Sequence, residues 1–314
     1  MNNTIQMIAG LIFLILGAES LVRGSAALAL RLGMRPLLIG MTVVAFGTSM
    51  PEMVVSVQAA LSDRGDISLG NIIGSNICNL GLILGLSALV RPMIVRSRTV
   101  MMDVPVMIIS VILLILFLLS PGLTRPEGTV LLVCMVLFMV YTVLQARHDH
   151  FQIQSSDLGM GEIRHIPFIR LTVYILFSLI GLFFGARFLI HGAVGLARAW
   201  GVSEAVIGLT IVAVGTSLPE LATSIIAAAR KESDIAVGNV IGSNIFNGLA
   251  ILGTASLIRP FQSVECSWWS LGVMLLLSVL CLPFLRSGFR LSRFEGLCLL
   301  IVYGVYIVFL PGLF

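Results

Sequence analysis

The sequence predicts an all-α polytopic membrane protein, with ten transmembrane helices arranged as two inverted five-helix repeats. Three observations lead there. Of the 314 residues, 58% are hydrophobic and 11% charged, whereas a soluble domain carries about a quarter charged residues. Adding 168 to a position in the first half lands on its counterpart in the second, in one register without gaps. The basic residues, finally, gather in the loops of one side.

The first five spans fall at about 4–29, 36–61, 67–90, 101–120 and 127–146, and the second five at about 168–197, 204–229, 235–258, 267–285 and 294–311. The opening "MNNTIQMIAGLIFLILG" lacks a basic n-region and a small-residue cleavage site, so it reads as a retained helix rather than a signal peptide. Val104–Thr124 and Cys266–Leu285, in the fourth and ninth spans, contain no Lys, Arg, Asp or Glu. Trp268 and Trp269 read as interfacial anchors. The chain thus divides into a first repeat (1–146), a short cytoplasmic linker (147–167) and a second repeat (168–314). In and beside the linker, His148, Asp149, His150, Asp157, Glu162 and His165 lack sustained ligand spacing and read as solvated charge. Cys78, Cys134, Cys266, Cys281 and Cys298 have no CxxC spacing and sit in apolar stretches, which points to core packing rather than disulfides or zinc.

The repeat is densest in two motifs. Gly47-Thr48-Ser49 maps to Gly215-Thr216-Ser217, Pro51-Glu52 to Pro219-Glu220, and "GNIIGSNICN" (70–79) to "GNVIGSNIFN" (238–247). Each copy holds an odd number of spans, so the second inserts upside down. One side's loops then carry Arg31, Arg35, Arg91, Arg96, Arg98, Arg147, Arg164, Arg170, Arg230, Lys231, Arg286, Arg290 and Arg293; the other's carry Arg64, Arg125, Arg198 and Arg259. The richer side belongs in the cytoplasm, with both termini outside.

A glutamate at mid-membrane is a functional candidate by default, because an unpaired charge there is costly. On a helix Thr48, Ser49 and Glu52 share one face, and Pro51 deprives the Gly47 carbonyl of its helical partner. Thr216, Ser217, Glu220 and Pro219 repeat the arrangement. In the following helix Asn71, Ser75 and Asn79 recur every four residues, as do Asn239, Ser243 and Asn247. Two carboxylates, hydroxyls, amide oxygens and loosened carbonyls make an all-oxygen site suited to hard cations, one Ca²⁺ or several Na⁺. Asn71 and Asn239 are expected to stitch helices together rather than bind an ion. Glu19 and Arg23 are spaced to pair within the first span. Asp63, Arg64 and Asp66, with Arg230, Lys231, Glu232 and Asp234, read as solvated turns.

The motif pair "GTSMPE…GNIIGSNICN" and "GTSLPE…GNVIGSNIFN" resembles the two α-repeats of the sodium/calcium exchangers, in the calcium:cation antiporter superfamily, prokaryotic type. The resemblance implies sodium/calcium antiport by alternating access, with the first and sixth helices sliding as gates. It also implies ligands at Ala45 (carbonyl), Thr48, Ser49, Glu52, Ser75 and Asn79, and at Ala213, Thr216, Ser217, Glu220, Ser243 and Asn247. Many relatives carry Asp where this chain has Asn247, so the site holds two formal negative charges. The linker cannot hold the regulatory domain of animal exchangers.

Ca²⁺ and Na⁺ are the expected substrates; no cofactor, nucleic acid or obligatory protein partner is expected, and a prokaryotic inner membrane is the expected location. Proton/calcium or potassium-dependent antiport is the alternative within the fold, and a passive cation channel the alternative outside it. No Ser–His–Asp or HExxH constellation suggests an enzyme.

Overall fold

The computed structural model describes residues 3–120, 122–148, 167–201, 213–262 and 267–309. In order, these form α1 (Asn3–Leu32), α2 (Pro36–Thr48), α3 (Met50–Leu61), α4 (Gly65–Val90), β1 (Met93–Ile94), α5 (Thr99–Phe117), β2 (Gly122–Leu123) and α6 (Arg125–His148). Then follow α7 (Phe168–Ala199), a short turn of helix at Ala213–Gly215, α8 (Leu218–Ala229), α9 (Ser233–Ile258), β3 (Phe261–Gln262), α10 (Trp268–Arg286), β4 (Arg290–Leu291) and α11 (Arg293–Val308). Among the described residues, seven helices are long and apolar enough to cross a membrane, or eight if the bent pair α2–α3 is one span. The expected seventh span is described only from Ala213; its earlier part, Cys266, and nearly all of the linker 147–167 lie outside the described residues.

Burial orders the helices into layers. The most apolar stretch of α9 is wholly buried and that of α4 is 78% buried, against 33% for α1, 28% for α7 and 22% for α6. So α4 and α9 form the centre, and the outer helices turn Leu16, Leu137 and Phe177 to their surroundings, the lipid-facing pattern of a membrane protein. α1 packs along the length of α7 at the margin of this core.

The second expected span is not a single helix. Ser49 leaves helical geometry (φ −84°, ψ 7°), and α2 and α3 meet at 46°. Pro51 falls in the first turn of α3, where its missing N–H has no intrahelical partner to lose. Ser217 (φ −86°, ψ 7°) and Pro219 repeat the break before α8. The proline does more than free one carbonyl: the helix ends, and Thr48 and Ser49 stand at the break itself. α4 and α9 contain π-helical turns at Cys78–Ile83 and Asn247–Ile251, which open the i→i−4 ladder around Asn79 and Asn247.

Two small strand pairs tie the halves together at the ends of the core. β1 pairs antiparallel with β4 (Met93 opposite Leu291), and β2 with β3 (Leu123 opposite Phe261). These are the same pairing shifted by 168. Ser292 starts α11 with a full capping box, its hydroxyl accepting from the Glu295 N–H while Glu295 accepts from the Ser292 N–H at 2.7 Å. Ser292→Ala is expected to lower stability by about 1 kcal/mol, read as a lower thermal midpoint in detergent without loss of transport.

Cys78 and Cys281 are buried and Cys134 and Cys298 partly so, with no disulfide among the described residues. Trp268 and Trp269 lie exposed at the start of α10. The turns expected to be merely solvated are more connected than that. Glu19 pairs with Arg23 at 2.6 Å and also with Arg230; Arg96 pairs with Asp234 at 3.2 Å and Arg259 with Asp63 at 2.7 Å. Glu19 and Arg23 pair within α1 as their spacing suggested, whereas the other three pairs join distant segments, which local spacing cannot reveal.

Candidate cation site

The breaks at Ser49 and Ser217 place the two motif glutamates, on the first turns of α3 and α8, at the centre of the protein. Both Glu52 and Glu220 have no exposed surface, and the Glu52 carboxyl lies in the field of the Glu220 carboxyl. Each is held by the other half. Ser49 donates to Glu220 Oε1 at 2.8 Å, and Ser217 donates to Glu52 Oε1 at 3.1 Å. The two bonds are counterparts of each other under the sequence offset of 168. Thr48 lies beside the Glu220 carboxyl and Thr216 beside that of Glu52, and Ser75 donates to Glu52 Oε1 at 3.4 Å.

Around the pair, asparagines hold the broken helices to α4 and α9. Asn71 donates to the Glu52 carbonyl at 3.3 Å and to Ser56 at 3.0 Å. Asn239 donates to the Glu220 carbonyl at 3.4 Å and to Ser224 at 2.9 Å, and accepts from Thr48 at 3.1 Å. Both asparagines stitch helices, as their position suggested. Ser49 N–H reaches the Ala45 carbonyl at 3.0 Å, whereas Ser217 N–H turns to Val214 at 3.1 Å rather than to Ala213. Of Ala213 only the backbone is described.

The orphaned polar atoms are informative. Glu52 Oε2, Glu220 Oε2, both amide atoms of Asn79, Thr216 Oγ1, Ser243 Oγ and Asn247 Oδ1 are buried without a hydrogen-bond partner among the described residues. Buried polar groups are nearly always satisfied, so a concentration of exceptions points to an unrecorded ion or water. These six side chains belong to the set the sequence nominated; other buried unpartnered atoms lie outside it, among them those of Ser25, Ser68, Ser87 and Thr223. Oxygens dominate the donor set, and no group of three or more His, Cys, Asp or Glu side chains occurs among the described residues; the set fits hard cations and not zinc or copper.

Two side chains escaped the sequence reading. Asn76 is buried and donates to the Asn244 carbonyl at 3.5 Å, while accepting from Asn247 at 3.0 Å. Its counterpart Asn244 is equally buried and donates to Val240 at 2.8 Å. Their neighbours Ser75 and Ser243 fitted a four-residue stripe and they did not; the repeat of "GSN" in both motifs was the available signal.

The model of the sodium/calcium exchanger protein family matches residues 2–144 and 170–311. The chain belongs to the sodium/calcium exchanger family. It is 40% identical over 305 residues to the putative antiporter CaxA of Alkalimonas amylolytica, covering 96% of each chain. It is 38% identical over 286 residues to the inner membrane protein YrbG of Escherichia coli strain K12, covering 88% of this chain and 86% of that one. Its fold is similar to that of the sodium-calcium exchanger NCX_Mj soaked with Na⁺ and Ca²⁺, with TM-score 0.85 and 32% identity over 99% of this chain and 100% of the other. The family is one of membrane transporters, not enzymes, and this member is an all-helical polytopic membrane protein.

The exchanger's two half-sites are alike but not equivalent. Thr48 bonds Asn239 across the halves, while Thr216 makes no such bond to Asn71. Ser75 reaches Glu52, while Ser243 has no hydrogen-bond partner among the described residues.

Proposed function

We propose that this exchanger moves Ca²⁺ against Na⁺ through a single cage built from Ala45, Thr48, Ser49, Glu52, Ser75 and Asn79 with Ala213, Thr216, Ser217, Glu220, Ser243 and Asn247. The observation that carries the reading is the pair of fully buried glutamates, each bonded by the serine of the other motif. Two buried carboxylates side by side repel, and the cheapest relief is a cation between them. One Ca²⁺ neutralises both charges and accepts six to eight oxygens in flexible geometry, roughly what two clustered half-sites offer. The same oxygens serve Na⁺ when calcium leaves. The names of the family and of NCX_Mj support this pair of substrates.

In this reading the chain crosses an inner membrane ten times as two inverted five-helix repeats, 1–146 and 168–314, with both termini outside. The offset-168 pairing of β1–β4 with β2–β3 and of Ser49 with Ser217 supports the repeat; the name of YrbG and the loop charges support the membrane and orientation. The unequal half-sites suit alternating access: interchanging the two repeats' conformations converts one facing into the other. The α1–α7 pair, beside the site and supplying no ligand to it, is the moving gate.

The test is radioactive calcium uptake into proteoliposomes under separately imposed sodium, potassium and proton gradients. An outward sodium gradient drives uptake, and potassium and proton gradients of equal size do not. Uptake driven by the proton gradient alone replaces sodium coupling with proton coupling. Flux indifferent to every counter-gradient makes the protein a channel.

A further inference from the structure

We propose that the cavity between Arg91, Lys231, Arg290 and Arg293 binds the phosphate of an anionic phospholipid headgroup. The cavity has a volume of about 810 Å³ and lies where α4, the α8–α9 turn and the β4–α11 junction meet. Its four cationic side chains form no ion pair with any described carboxylate. The neighbouring acids are spent or set apart. Asp234 pairs with Arg96, and Glu232 does not line the cavity; burial, and then the Asp234 charge, hold the Glu232 carboxyl above its ordinary pKa.

The opposite end of the molecule supplies an internal control. There Arg259, Arg125 and Asp63 line a cavity of about 320 Å³. They are the residues that the offset of 168 pairs with Arg91, Arg293 and Lys231. The scaffold is the same. Arg125 donates to the Leu257 carbonyl at 3.2 Å, and Arg293 to Leu89 at 3.1 Å. Asp63 (φ 61°) and Lys231 (φ 68°) occupy the same left-handed backbone position after α3 and α8. The charges differ. Asp63 neutralises Arg259 at 2.7 Å, whereas Lys231 adds a cation beside Arg91, and Arg290 stands where the other copy has Gly122. The fold therefore builds this cavity without needing it basic. Lysine also holds a left-handed conformation that Gly, Asn or Asp would adopt at lower cost.

Topology alone favours basic loops on one face, but it does not require four of them to converge on one cavity. A convergent basic hollow at a membrane edge suits a phosphate group. The lipid source is favoured over free phosphate because Val90 and Ile94, 46% and 70% exposed, flank the same cavity and offer an apolar track for acyl chains.

The experiment is native mass spectrometry of the full chain in neutral detergent, with phosphatidylglycerol and phosphatidylcholine added in equal amounts. Thermal shift with inorganic phosphate alone runs in parallel. The wild type retains phosphatidylglycerol preferentially. Lys231→Asp, which installs the residue of the other copy, lowers that retention by about tenfold or more, since two units of charge are lost at the contact. Asp63→Asn on the opposite face leaves it unchanged. Should Lys231→Asp fail to give a monodisperse protein, Arg290→Gln and Arg91→Gln carry the same expectation. Equal retention of both lipids by the wild type overturns the proposal, as does undiminished preference in the folded variants. Stabilisation by inorganic phosphate equal to that by phosphatidylglycerol overturns the lipid assignment.

Discussion

Glu52→Gln or Glu220→Gln leaves the protein folded and inserted but lowers sodium-driven calcium uptake at least about a hundredfold. Each substitution is nearly isosteric and removes one of the two charges that a divalent cation needs. The remaining carboxylate still faces the ion, but the cage carries one negative charge against two positive, and burial leaves no water to make up the difference. The new amide also brings donors to a place already occupied by them: Ser217 and Ser75 both donate to Glu52 Oε1, and Ser49 to Glu220 Oε1. An NH₂ group there either faces those hydroxyls or points at the cation. Losing only the hydroxyl partner, as in Ser49→Ala or Ser217→Ala, costs less, about tenfold, because the charges remain. Uptake of radioactive calcium into proteoliposomes, with size-exclusion profiles as the check on folding, measures all four variants. Full activity in both Gln variants removes the paired carboxylates from the mechanism.

Much of this site was legible because the sequence states it twice. A coincidence at one motif is cheap, but Thr48, Ser49 and Glu52 recurring as Thr216, Ser217 and Glu220 at one fixed offset leaves little room for accident. Burial of both glutamates then follows from the apolar text around them. What stayed hidden depends on contacts between distant segments. Whether a proline kinks a helix or starts a new one is decided by where the preceding residues leave helical geometry, and Ser49 does so at a position no propensity marks. The π-helical turns at Asn79 and Asn247 are likewise packing outcomes, since neither "ICNLG" nor "IFNGL" carries a local signal for them. Asn76 and Asn244 were passed over because a strict four-residue stripe treats the helix as regular where it is not. The ion pairs of Glu19 with Arg230 and of Asp63 with Arg259 span most of the chain, and only the folded topology brings their partners together.

The α1–α7 seam gives the second large effect, because here backbone meets backbone. A Cβ added at Gly10 would lie 2.5 Å from the Leu189 nitrogen and 2.8 Å from the Gly185 oxygen; one added at Gly185 would lie 2.7 Å from the Leu14 nitrogen and 3.0 Å from the Gly10 oxygen. No side-chain rotation relieves such a clash, so the helices must separate, as small-residue seams in membranes exist to prevent. Gly185→Val is therefore expected to cost about 1–3 kcal/mol of packing. If the pair moves as a gate, that cost falls on a motion requiring close contact, and exchange slows at least about tenfold. None of the twelve nominated ligands lies on α1 or α7, so calcium binding to the detergent-solubilised variant stays near the wild-type value. The split between binding, read by calorimetry, and exchange, read by uptake, separates a gate from a scaffold. Gly272→Val in α10 is the control, because an added Cβ there meets nothing within 4 Å. Binding and exchange falling together in Gly185→Val would make the seam a support for the cage, and the moving part would then have to be sought elsewhere in the fold.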